Sequence, residues 1–114
     1  MDEKEIDKSA RDALRSFVDA LISKMNYASS ASDRRMYKSV LENGIEMTGL
    51  FEKYLDKLDD YGTPFVRQEG QRQSELINKM KGLETIAHKD LEAAKIQTEF
   101  FAEELKNLRD QILK

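Results

Sequence analysis

The chain has 114 residues, 36% of them charged and summing to a net charge of −3, with one Pro, five Gly, no Cys and no Trp. That composition excludes disulfides and thiolate metal sites and leaves too few turn residues for an all-β fold. Acidic and basic side chains number six and five over residues 1–30, seven and five over 31–62, and nine and nine over 63–114, so no basic stripe exists for a nucleic-acid backbone.

The amino-terminal run MDEKEIDKSARD is charged and has no apolar h-region, and no apolar run approaches membrane-spanning length. The expectation is one soluble helical domain over residues 1–114, made in the cytoplasm, without a membrane span and compatible with signal-less export.

Three helices are predicted in chain order. The first covers about residues 3–25, where Ile6, Ala10, Ala13/Leu14, Phe17, Leu21 and Met25 recur at helical steps. The Ser-rich run YASSASD that follows reads as a loop that supplies an N-cap. The second helix covers about residues 33–61. Its row Tyr37, Val40, Gly44, Met47, Phe51, Tyr54, Leu58 and Tyr61 alternates steps of three and four, a heptad seam. Gly44 on that seam lowers helix propensity by about 1 kcal/mol and suits close approach of a neighbour. Asp56, Asp59 and Asp60 then crowd the carboxyl end, where the macrodipole disfavours them.

Gly62, Thr63 and Pro64 fit a helix stop, an N-cap and a first helical position, so a tight turn is expected there. The third helix is predicted as one continuous rod over about residues 64–113. Leu76, Met80, Leu83, Ala87, Leu91, Ala94, Thr98, Phe101, Leu105, Leu108 and Ile112 form one row with a mean period of 3.6. The stretch Arg67–Glu75 has no apolar side chain and reads either as helix with solvent on all sides, the favoured reading, or as a loop that delays the helix to Ser74. A helix of this length would reach about 75 Å, as long as the first two laid end to end.

The fold class expected is therefore all-α, an antiparallel helical hairpin or three-helix bundle with one long C-terminal helix. Either the chain stretches into a rod, or the last turns overhang and need a companion. The apolar excess at Ile96, Phe100, Phe101, Leu105, Leu108 and Ile112 reads equally as core against the first helix or as a helix-in-groove or coiled-coil contact with another chain, and is the candidate partner-binding surface.

Other chemistry is thinly represented. Glu84, His88 and Glu92 fall on one helical line, a geometry that can ligate a metal but more often is a solvated charged face beside Lys81, Lys89 and Lys95. The residue three after Glu84 is Ala87, so the Glu-x-x-His pair of di-iron bundles is missing. No nucleophile–base pair or phosphate-cradling glycine loop stands out, and no catalytic, metal or cofactor residue is assigned. Met25, Met36, Met47 and Met80 fall on or beside the core seams.

A chain of this length, without Cys and with helical arms either side of a Gly-containing turn, resembles the small helical-hairpin proteins of type VII secretion. It is similar also to the helical partners that escort LXG toxins. Tyr61-Gly62-Thr63 stands where that family has Trp-x-Gly, and Phe100-x-x-x-Glu104 is similar to its aromatic-x-x-x-acid targeting motif. The resemblance implies side-by-side pairing with another helical chain. The expected function is a non-enzymatic interaction module, an adaptor, escort or chaperone, whose partner is another helical protein or itself. A self-assembling coiled-coil subunit and a small inhibitor of an enzyme are the alternatives.

Overall fold

In a computed structural model, which describes residues 2–59 and 63–112 apart from the side chains of Asp59 and Ile112, the described residues form four helices and no strand. Helix α1 is Glu3–Ser29, α2 Arg34–Asp59, α3 Pro64–Lys89 and α4 Leu91–Ile112.

Local chemistry explains most of the boundaries. Asp2 caps α1, its Oδ1 accepting from the Glu5 N–H at 2.9 Å. The Ser-rich run interrupts the chain later than expected. The helix continues through Tyr27, Ala28 and Ser29, because Ala28 has a buried place in the core. Asp33 starts α2 by accepting from the Met36 N–H at 2.7 Å. Thr63 caps α3 through its hydroxyl, with Pro64 in the first turn, as its sequence predicts. The Gly62 stop expected before it lies outside the described residues.

The rod expected over residues 64–113 is instead two helices. Asp90 breaks it, with φ −153° and ψ 98°. Its N–H still donates to the Ile86 carbonyl at 2.8 Å, so it closes α3. Its Oδ1 accepts from the Ala93 N–H at 3.1 Å, so it also opens α4. His88 and Lys89 end α3, and Glu92 begins α4. Both placements suit the helix dipoles.

The chain then folds back. Leu76 on α3 shares a groove with Phe101, Leu105 and Leu108 on α4, and Leu83 and Ile86 share another with Gln97. Contacts run antiparallel throughout. Phe17 stacks on Phe51 with ring centroids 4.5 Å apart, Arg34 Nε donates to the Ala87 carbonyl at 2.8 Å, and Arg109 pairs with Asp19 at 2.9 Å. Each helix packs against its sequence neighbours and α4 closes on α1, an up-and-down four-helix bundle. The molecule measures 48 × 24 × 16 Å, the length of one helix and not of a rod.

The core is one continuous cluster with contributions from all four helices. Gly44 faces α1 and α3 on the inner side of α2. A Cβ there would stand 3.1 Å from Met25 Cε and 3.2 Å from Met80 Sδ. Met25 and Met80 are buried, and Met36 and Met47 are half-buried beside them.

Replacing the residue that makes the corner should weaken the bundle. Asp90→Ala is expected to lower stability by about 0.5–2 kcal/mol, the usual effect of removing an N-cap. Asp90→Ser should recover most of it. Urea unfolding of the three proteins checks this, and an unchanged midpoint for Asp90→Ala would place the determinant of the corner elsewhere.

Candidate functional site: the outer face of the fourth helix

Helical periodicity splits the apolar residues of α4 into two sets. Ala94, Thr98, Phe101, Ala102 and Leu105 share one face and are buried against α1 and α3. Ile96 and Phe100, one turn apart from each other, fall on the opposite side at 100° per residue. They remain 54% and 65% exposed.

The six residues expected to bind a partner are thus divided. Phe101 and Leu105, only 2% and 1% exposed, belong to the protein's own core. Leu108 is half-buried in the α3–α4 groove with Arg72, Glu75 and Glu104. Ile96 and Phe100 alone stand out in water, and the side chain of Ile112 lies outside the described residues.

A second exposed apolar pair was not singled out by the sequence. Leu50 is 60% and Tyr54 36% exposed on α2, with the Tyr54 ring 6.0 Å from that of Phe51. Tyr54 belongs to the row that the sequence predicts as a heptad seam. That seam turns partly outward, and the signal was available in Leu50, an apolar residue just off the seam.

The polar stretch Arg67–Glu75 is helical, as expected, but it is not solvated on all sides. Glu69 is 2% exposed and Gln73 fully buried. The inward row of α3 reads Val66, Glu69, Gln73, Leu76, Met80, Leu83, Ala87, in steps of three and four. Two polar side chains therefore occupy core positions. Arg72 Nη1 reaches Glu69 Oε1 at 3.0 Å. The Arg11 guanidinium, 4.2 Å over the Phe65 ring, adds a second favourable charge. Burial nevertheless dominates and raises the Glu69 carboxyl above its ordinary range, with Arg72 and then Arg11 opposing. Neither amide atom of Gln73 has a hydrogen-bond partner among the described residues, and Asp7 Oδ1 is also buried without one.

Other polar groups in the core are satisfied. The Tyr37 hydroxyl and Thr98 Oγ1 lie 2.7 Å apart, and Thr98 also donates to the Ala94 carbonyl. Burial raises the Tyr37 pKa, more than the Thr98 hydrogen bond lowers it.

The Glu84–His88–Glu92 line does not survive the corner. Glu84 and His88 lie in the last two turns of α3 beside a cavity of about 10 Å³, with Arg34, Tyr37 and Lys38. Glu92 is carried by α4 and pairs with Lys95 at 3.5 Å. No group of three His, Asp or Glu able to hold a metal forms among the described residues. A groove of about 400 Å³ runs between α2 and α3, lined mainly by polar residues such as Glu52, Asp56, Arg67 and Ser74. Ser74 donates to Glu52 across it. Among the described residues no helix is long and apolar enough to cross a membrane.

Comparison with protein-family models, curated proteins and solved structures gives no match to this chain.

The buried polar pair sets two expectations. Gln73→Leu keeps the volume and removes two unpaired polar atoms, so it should raise stability by about 1–3 kcal/mol in urea unfolding; a loss would mean that the amide is satisfied in solution. Glu69 binds its proton more tightly in the folded than in the unfolded chain. Its contribution to stability therefore falls as pH rises from about 4 towards neutrality. The wild type should lose stability relative to Glu69→Gln over that range, and parallel pH profiles would contradict the assignment.

Proposed function

We propose that the protein is a non-enzymatic helical interaction module that offers the outer face of α4 to another helical chain. The observation behind this reading is the exposure of Ile96 and Phe100 on a helix whose other apolar face is sealed within the protein's own core. Single exposed apolar residues are ordinary on a protein surface. Two large ones, a turn apart on the side of α4 turned away from the core, have no intramolecular use. Covering both would contribute about 2–4 kcal/mol of hydrophobic free energy, enough to anchor a reversible contact.

An adaptor role is favoured by the second pair, Leu50 and Tyr54 on α2. Helices α2 and α4 are diagonal in the bundle, so their outer faces look in opposite directions. A small protein with an apolar pair on each side is suited to bridging two chains. The resemblance to type VII secretion escorts gives that role one setting, pairing with a larger exported helical protein.

Substitution separates surface from core. The double variant Ile96→Asp plus Phe100→Asp should keep its helical signal and change stability by no more than about 1 kcal/mol. It should also lose a helical partner that the wild type retains when both are affinity-purified from the native host. Phe101→Asp, by contrast, should fail to fold. Identical partner profiles for the wild type and the double variant would overturn the reading.

A further inference from the structure

We infer that the face around Ile96 and Phe100 takes a basic amphipathic helix from another protein, an inference that rests on the interaction reading above and adds the chemistry of the partner. Four carboxylates surround the apolar pair. Helical spacing puts Glu92, Glu99 and Glu103 along one side of it and Glu104 along the other. All four are exposed.

The cations of α4 neutralise only two of these four carboxylates. Lys95 pairs with Glu92 at 3.5 Å, and Lys106 with Glu103 at 3.0 Å. Arg109 turns to α1, where it meets Asp19 at 2.9 Å, and also approaches Asp110 at 3.4 Å. Glu99 and Glu104 have no ion-pair partner among the described residues, and each is within one turn of Phe100. On the α3 side, Arg72 and Glu75 border the same groove as Glu104, with Arg72 held by Glu69 at 3.0 Å, and Lys79 lines the next groove with Gln97. The balance around the apolar pair is negative.

A docked chain must therefore present an apolar stripe flanked by positive charge, the pattern of a basic amphipathic helix. A second copy of this protein meets the opposite condition. A two-fold contact through α4 would bring the same acidic rows together, with most nearby lysines already paired. An anionic lipid surface is repelled for the same reason. With two anchors and an exposed rim, the contact is modest in strength and sensitive to salt.

The test uses the full chain and two synthetic peptides of about three heptads, with the same Leu stripe but flanked by Lys in one and by Glu in the other. Fluorescence anisotropy should show the Lys peptide binding at least about tenfold more tightly than the Glu peptide, with added salt reducing the difference. Phe100→Ala should weaken the Lys peptide by about tenfold. Glu99→Lys plus Glu104→Lys should reverse the preference. Equal binding of both peptides by the wild type, or no effect of Phe100→Ala, overturns the inference. So does self-association of the wild type in sedimentation that Phe100→Ala abolishes, because the face then belongs to a second copy. If the peptides fail while the Ile96/Phe100 double variant still loses its partner from the host, the interaction reading stands and the basic chemistry falls. If neither effect is seen, both fall.

Discussion

The reversal of the chain at Asp90 is the constraint on which the remaining architecture depends. Without it, α4 would continue about 33 Å beyond the other helices, with Phe101 and Leu105 in water. The relative sizes of the effects show what each does. A cap is worth about 1 kcal/mol, whereas burying each large apolar side chain is worth about 1.5–3 kcal/mol. Burial of the α4 row against α1 and α3 therefore drives the reversal. Asp90 decides at which residue it happens, because a carboxylate that accepts from the Ala93 N–H makes a helix start cheap at that position.

Once α4 has folded back, the polar groups of the core fall into two kinds. The Tyr37–Thr98 hydrogen bond joins α2 to α4, the diagonal pair, through the interior. It fixes their relative height, because a shift of one turn would leave the buried Tyr37 hydroxyl unpaired while Thr98 kept its bond to the Ala94 carbonyl. Gln73 and Glu69 act differently. The first has no partner and the second is held above its normal pKa by burial despite Arg72. Both lie in the first three turns of α3. That end of the bundle is thus less well optimised than the Gly44 layer, where Met25 and Met80 close tightly around α2.

Sequence periodicity revealed the helices but not the break between α3 and α4. The row from Leu76 to Ile112 keeps its phase across Asp90, since Ala87, Leu91 and Ala94 continue at steps of four and three. A pattern of side-chain faces cannot register a change in chain direction. The legible signal was local instead: the basic end His88-Lys89, an N-capping Asp90 and the acidic Glu92, which together reproduce a helix end followed by a helix start. The buried places of Glu69 and Gln73 were hidden for a related reason. Polar identity masks a core position, although their spacing with Val66 and Leu76 continues the row. For the candidate site, Ile96 and Phe100 were readable as apolar excess. Their separation from Phe101 and Leu105 required knowing which side of α4 the bundle covers.

That separation follows from helix geometry. In a four-helix bundle each helix has two flanking neighbours, which together cover roughly half of its circumference. The apolar residues of α4 extend further round than that. Rotating α4 to bury Phe100 and Ile96 would turn Phe101 and Leu105 outward and break the Tyr37–Thr98 hydrogen bond, so no orientation within one chain covers both sets. Natural selection for the monomer alone would favour polar residues at positions 96 and 100, as at the neighbouring Glu99 and Glu103. On the proposed reading the exposed pair is a constraint imposed from outside the bundle, and the carboxylates around it restrict which surfaces can impose it.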